Sequence, residues 1–128
     1  MAWELDSDRP IYLQIADIME SGIISGRYKP GEKLPSVREL AVEAGVTPNT
    51  VQRSYAELER RGLVNTRRTS GRIVTQDENI LKETRRSMAQ EQIELFLNKM
   101  KELGFSSEEI RAIMDEFLEE GGKKNERE

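Results

Sequence analysis

Two helix signals separated by a very short turn constrain the fold of this chain more than any other feature. Ser36 and Glu39 have the S-x-x-E spacing of a capping box, which predicts a helix beginning after Ser36. Gly45 suits the left-handed conformation that ends a helix, and Thr47 followed by Pro48 is typical of the start of the next one. A turn of about three residues therefore joins two helices, which is the helix-turn-helix arrangement.

A further helix and a loop precede this pair. Pro10 suits the first position of a helix, and apolar residues recur after it at helical spacing up to a stop signal at Gly26. Residues 28–36 contain two prolines and a glycine, which predicts a loop. Within it, Lys33 and Leu34 are expected to form a very short strand.

A β-hairpin is predicted directly after the helix-turn-helix, in the position of a wing. The turn between its strands is the sequence RRTSG, and the strand-forming residues are Leu63, Val64 and Thr66 on one side and Ile73, Val74 and Thr75 on the other. The predicted fold class is therefore mainly α with a small β-hairpin. Its first domain is a winged helix-turn-helix over residues 1–75.

The remainder of the chain has the pattern of two helices and contains no proline. The first helix is expected over about residues 78–103, followed by a cap at Gly104. Ser106 and Glu109 form a second capping box that starts the last helix. The prediction is a two-helix dimerisation segment over residues 76–122 and a frayed tail over residues 123–128.

The composition excludes several classes of function. The chain has no cysteine and no histidine, so it lacks disulfides, thiolate metal sites and the usual general base. It has no phosphate loop of the G-x-x-x-x-G-K type, and its neighbouring acids lack calcium-loop spacing. We expect no enzyme activity, no metal and no cofactor. Neither a secretory signal nor a membrane-spanning apolar run is present, so we expect a cytoplasmic protein that does not contact a membrane.

Basic charge is concentrated in one part of an acidic chain. The formal net charge is -4, yet residues 60–72 hold five arginines and no acid. Residues 1–75 carry 11 Lys and Arg against 10 Asp and Glu, whereas residues 76–128 carry 9 against 14. A phosphate responds to the local field, so the overall pI does not argue against a polyanion as partner.

The second helix of the pair divides into an inward and an outward face. Val51, Tyr55 and Leu58 fall together and are predicted to be buried. The polar face consists of Asn49, Arg53, Ala56 and Arg60, with Thr50 and Gln52 on its flanks. Arginine can pair with guanine, and asparagine or glutamine with adenine, while the helix N-terminus favours a phosphate. A polar outer face is common to surface helices, so this face predicts contact with double-stranded DNA in the major groove only in combination with the basic wing.

The predicted wing adds three arginines at its tip, Arg67, Arg68 and Arg72, which are expected to approach the adjacent minor groove or the phosphate backbone. One alternative stands beside this interpretation. The arginines could instead face an acidic protein, in which case binding would be indifferent to DNA sequence.

Trp3 and Tyr12 are interpreted as packing the N-terminal segment against the first helix, with stacking on a base or a ligand as the alternative.

The segment GEKLPSVRELAVEAGVTPNTVQRSYAELERRGLV resembles the winged-helix DNA-binding domain of GntR-family bacterial transcription regulators. With PIYLQI upstream, the resemblance covers about residues 3–75. The short two-helix tail is similar to the YtrA-type subgroup. The resemblance implies a sequence-specific transcription regulator, expected to be a repressor, that binds an inverted-repeat operator as a homodimer. An effector ligand either binds in the dimer interface or is not needed.

The resemblance also implies roles for individual residues. Arg38 matches an arginine that contacts operator DNA in the family. Thr47, Asn49 and Thr50 match contact positions at the start of the recognition helix, which is the second helix of the pair. Pro48 and Gln52 depart from relatives that carry arginine there, so Arg53 is expected to take over the contact with guanine or phosphate. In the wing, Gly71 is left as the tight-turn residue of the family's G-x-G-T-F-V pattern. The predicted DNA-binding residues are Arg38, Thr47, Pro48, Asn49, Thr50, Gln52, Arg53, Arg67, Arg68, Gly71 and Arg72.

The apolar stripes of the tail favour dimerisation. A two-helix appendage of 53 residues can barely enclose a core alone, whereas pairing across a twofold axis buries both stripes. The alternative is that the helices fold back on their own winged helix. The predicted interface residues are Leu81, Met88, Phe96, Met100, Leu103, Ile110, Met114 and Phe117.

Overall fold

Five helices and one hairpin make up the part of the chain that the structure describes. In this computed structural model the backbone is described for residues 3–127 and the side chains for residues 3–121. The elements are α1 (Ile11–Ser25), α2 (Val37–Ala44), α3 (Pro48–Arg60), β1 (Val64–Arg67), β2 (Gly71–Val74), α4 (Glu78–Glu102) and α5 (Ser107–Arg127). The chain divides into two compact units between Arg86 and Ser87. The first unit thus includes the start of α4, beyond the end predicted for the winged helix at residue 75.

The helix-turn-helix forms where its caps predict it. The Ser36 hydroxyl accepts the Glu39 N–H at 3.1 Å, and the Glu39 carboxylate accepts the Ser36 N–H at 3.2 Å, which confirms the capping box. Gly45 ends α2 with a φ of 75°. The Thr47 hydroxyl then accepts the N–H of Thr50 and caps α3. Local groups therefore cap both helices at the three-residue turn between them.

One apolar core joins the first three helices to the hairpin. The inward face predicted for α3 is confirmed, because Val51, Tyr55 and Leu58 are fully buried. Leu81, at the start of α4, is half-buried against the same core. The sequence predicted Leu81 for a dimer interface, but much of its apolar surface already has this intramolecular partner. The other large core residues are Ile15, Met19, Ile23, Leu34, Leu40, Leu63, Val64 and Val74.

The loop before α2 anchors the wing, which consists of β1, the turn at residues 68–70 and β2. The N–H of Leu34 donates to the carbonyl of Arg72 at 2.9 Å, and Lys33 forms an isolated β-bridge with Ile73. The short strand predicted at Lys33 and Leu34 is therefore present as a single bridge. The bridge adds a short third strand segment beside β2. This stabilises the hairpin, because isolated two-stranded hairpins are only marginally stable.

The second unit contains the end of α4 and all of α5. Gly104 closes α4 with a φ of 92°, and Ser106 and Glu109 exchange the two hydrogen bonds of the second capping box. The frayed tail predicted over residues 123–128 is not found as far as it is described, because α5 continues to Arg127. Glycine in a helix costs only about 1 kcal/mol relative to alanine, so Gly121 and Gly122 do not force α5 to end. Residue 128 lies outside the described residues.

Of the helices in the described part of the chain, none combines the length and the apolar character needed to cross a membrane.

Candidate nucleic-acid interface

The N-terminal half of α3 presents donors and acceptors to solvent and contains no carboxylate. Its first acidic residue is Glu57, more than two turns from the N-terminus. The Thr47 and Thr50 hydroxyls lie 3.0 Å apart and hydrogen bond to each other across the cap. Of the predicted contact residues on this helix and its cap, Thr47, Pro48, Asn49, Gln52 and Arg53 are exposed and Thr50 is half-buried.

Arg53 lies against an aromatic ring from another helix. Its guanidinium carbon is 4.0 Å from the centroid of the Tyr12 ring on α1. Tyr12 was interpreted from sequence as a packing residue of the N-terminal segment, and its contact with α3 was missed. No local pattern signals this contact, because the two residues are far apart in the chain.

Glu57 neutralises two of the five arginines in the basic stretch. Arg60 donates to both carboxylate oxygens of Glu57 at 2.7 and 2.6 Å, and Arg61 donates to one of them at 2.8 Å. Arg61 also lies 3.0 Å from Asp17 and 3.3 Å from Glu20 on α1. The Arg60 hydrogen bonds, with those of Arg61, outweigh the opposing effect of burial and lower the pKa of Glu57 to about 2. The free positive charge is thus smaller than the sequence of residues 60–72 suggests.

The wing separates its three arginines. Arg67 ends β1 and Arg68 lies in the turn, and both are exposed. The prediction that Arg72 lies at the tip is wrong, because Arg72 pairs with Thr66 inside the hairpin. Gly71 has a φ of 76°, in agreement with its expected place in the tight turn.

Arg72 instead packs on the core of the helix-turn-helix. Its guanidinium carbon lies 4.9 Å from the ring centroid of Tyr55, and the Tyr55 hydroxyl donates to the carbonyl of Pro35 at 2.6 Å. Burial raises the pKa of this hydroxyl, so it remains a donor. Arg72 therefore connects the wing to α3 and to the loop before α2.

Two further cations border this surface. Arg38 is exposed on α2, and no ion pair is found for it among the described side chains. Lys33 was not predicted as a contact residue. A Cβ on Gly71 would lie 3.2 Å from the Lys33 Cε, so the lysine side chain crosses the base of the wing turn. The short strand predicted at Lys33 was the signal that could have placed it there.

The second helix of the helix-turn-helix, α3, has an exposed polar face, and one core joins it to a basic wing. This arrangement defines a winged helix-turn-helix DNA-binding domain. The family model of "Bacterial regulatory proteins, gntR family" matches residues 11–74, half of the chain. This chain belongs to the GntR family. It is a transcription regulator with a DNA-binding GntR domain, and it is not an enzyme.

Relatives match almost the whole chain. It is 42% identical over 118 residues to the uncharacterized HTH-type transcriptional regulator YhcF of Bacillus subtilis, covering 92% of this chain and 98% of YhcF. It is 38% identical over 122 residues to the HTH-type transcriptional repressor YtrA of the same organism, covering 93% and 94%. The solved structure of a GntR family transcriptional regulator from Listeria monocytogenes has a TM-score of 0.79 at 38% identity, covering 88% and 98%. The winged helix and the two-helix tail are thus shared.

Proposed function

We propose that this chain represses transcription by binding one inverted-repeat operator in double-stranded DNA as a homodimer. The observation that carries the proposal is the exposed, carboxylate-free half of α3, with the Arg53 guanidinium at its centre. Such a surface fits a major groove, where guanine presents two acceptors to a guanidinium. The relative YtrA is named as a repressor, which supports repression rather than activation. Because the proposed partner is bacterial DNA, which lies in the cytoplasm, we expect the protein to act in the cytoplasm.

The contacts divide into reading and positioning. Asn49, Gln52 and Arg53 carry side chains that discriminate between base edges. Around them, Thr47, Thr50 and Arg38 contact phosphates that fix the helix in the groove. The side chains of Arg67 and Arg68 approach the adjacent minor groove or backbone. Arg72 acts from behind by holding the wing.

The tail supplies the surface for a second copy of the chain. Phe117 and Leu118 on α5 are 72% and 70% exposed, and Leu103 is 73% exposed. Among the described side chains, those that line a groove of about 370 Å³ between the two tail helices are Phe96, Met100, Ile113, Met114, Phe117 and Leu118. Exposed apolar patches of this kind mark interaction sites, and pairing two tails would cover both. A twofold pair also explains an operator with two half-sites.

Two predicted interface residues, Leu81 and Ile110, are left out of the proposed interface because both pack within the single chain. Ile110 is only 2% exposed in the single chain, so it has no surface left for a partner. Its position in the first turn of α5, directly after the capping box, differs from that of the exposed residues further along the helix. The proposed interface therefore consists of Met88, Phe96, Met100, Leu103, Met114 and Phe117, together with Leu118.

Selection of bound sequences from a random DNA pool at near-physiological salt tests the proposal. We expect an enriched inverted repeat whose two halves are separated by a fixed spacing. Enrichment of a single, unrepeated half-site would contradict the dimer. The absence of any enriched sequence would contradict sequence-specific reading and would favour an acidic protein as the partner.

A further inference from the structure

The ring of Tyr12 supports one face of the Arg53 guanidinium. At 4.0 Å from ring centroid to guanidinium carbon, the two groups are in van der Waals and cation–π contact. A guanidinium is planar and carries its N–H donors around its edge. A guanidinium that stacks on a ring through its face is restrained while its N–H donors stay available.

The platform is itself fixed to the recognition helix. The buried Ser54 hydroxyl donates to the backbone carbonyl of Tyr12 at 2.8 Å, and it lies 3.0 Å from the carbonyl of Thr50. Ser54 is the residue directly after Arg53. The backbone that carries the ring is thus hydrogen bonded to the helix turn that carries the guanidinium.

The ion pairs around Glu57 keep Arg53 free of a carboxylate. Glu57 lies four residues after Arg53, the spacing at which an acid and an arginine on one helix face pair. Its oxygens already accept from Arg60 and Arg61 at 2.6 to 2.8 Å. Among the described side chains no ion pair is found for Arg53. Its donors remain available to a ligand.

We propose that Tyr12, on α1 and outside the helix-turn-helix, determines DNA specificity by holding the Arg53 guanidinium in position to pair with a guanine. This rests on the proposed function and deepens it. A long side chain loses rotamer freedom when it binds, and a supported one has less freedom to lose. Tyr12 contacts no base in this arrangement. It is a positioning residue, and its effect is transmitted through Arg53.

Binding of four variants to the selected operator tests the role of Tyr12. Tyr12→Phe keeps the ring and is expected to behave like the wild type. Tyr12→Leu removes it, and we expect the preference for the operator over a copy altered at the Arg53 base pair to fall by about three- to thirtyfold, from the usual range of cation–π energies. In the Arg53→Ala background, adding Tyr12→Leu should change that preference no further. An unchanged preference in Tyr12→Leu, or an equal fall in both backgrounds, would overturn the proposal.

Two additional measurements keep the test decisive. Arg53→Lys keeps the charge and loses the planar group, so it should lose the preference; an unchanged preference would show that no planar group reads the base and would overturn the proposal. In the DNA-free protein, the ring should shift the NMR signals of the Arg53 Hδ protons upfield in the wild type and in Tyr12→Phe. Absence of that shift overturns the stack independently of DNA. If the Arg53 Hδ signals show the expected upfield shift but the protein prefers no DNA sequence, the proposed function is refuted, and the role of Tyr12 with it.

Discussion

At the scale of single residues, Glu57 determines which of the neighbouring arginines are held in ion pairs. It binds Arg60 and Arg61, and Arg61 continues the network to Asp17 on α1. The carboxylate thus joins α3 to α1 through Arg61, and no ion pair remains for Arg53 among the side chains that the structure describes.

Replacing Glu57 with Gln should lower the free energy of unfolding by about 1 kcal/mol at pH 7. This is less than the pKa shift alone would give, because Arg60 is 72% exposed and water screens the pair. The pKa of Glu57 falls from an ordinary value of 4.5 to about 2 on folding, so its stabilisation is present above pH 4.5 and is lost as the pH falls toward 2. Urea unfolding of both proteins between pH 7 and pH 2 measures this. A difference between them that stays constant over the whole range would contradict the assignment.

At this scale the sequence predicts contacts between residues that are close in the chain, but not contacts between distant residues. The capping pair Ser36 and Glu39 is three residues apart, so its spacing in the sequence is sufficient evidence of its geometry. The contacts of Arg61 with Asp17 and of Arg53 with Tyr12 join residues about forty positions apart. Neither has a local pattern, and both depend on how α1 packs on α3.

At the scale of elements, the wing is a hairpin whose arginines have different surroundings, and we propose different tasks for them. Arg68 lies in the exposed turn, whereas Arg72 lies on the ring of Tyr55. The sequence predicted the hairpin and its turn glycine because both depend on turn chemistry. It placed Arg72 wrongly because side-chain direction depends on strand register, which sequence alone did not define.

Arg68→Ala and Arg72→Ala form a matched pair that separates these tasks. Arg68→Ala should weaken binding evenly on every sequence and reduce the salt slope of log K by about 1, while leaving stability unchanged. Arg72→Ala should lower the free energy of unfolding by about 0.5–1 kcal/mol and leave the slope as in the wild type. Salt titrations of operator binding, with thermal unfolding of each variant, measure both effects. An exchange of the two phenotypes would contradict the positions assigned to these side chains.

At the scale of the whole molecule, the proposed function assigns the reading of DNA to the first unit and the pairing of two copies to the second. The first unit encloses its own core, whereas the second leaves Phe117 and Leu118 largely exposed. The stripes of the tail were predictable from helical spacing. Which stripe residues remain exposed was not, because the burial of Ile110 and Leu81 depends on contacts within the folded chain.

Phe117→Ser should convert the proposed dimer to a monomer and weaken operator binding at least tenfold, since losing a large buried side chain from an interface removes about 1.4 kcal/mol or more. Glu119→Ser is the matched control, because Glu119 lies two residues along the same helix on its polar face. Sedimentation velocity at micromolar concentration measures the mass of each. A wild type that sediments as a monomer, or a Phe117→Ser variant that remains dimeric, would contradict the proposed interface.

The most direct test of base reading by α3 is to repeat the DNA selection with Arg53→Ala beside the wild type. We predict the same inverted repeat from both proteins, with the preference at one base pair of each half-site lost in the variant. That change should cost about 1–3 kcal/mol on the wild-type operator. An identical preference at every position, with binding weakened equally on all sequences, would contradict base reading and reduce Arg53 to a phosphate contact.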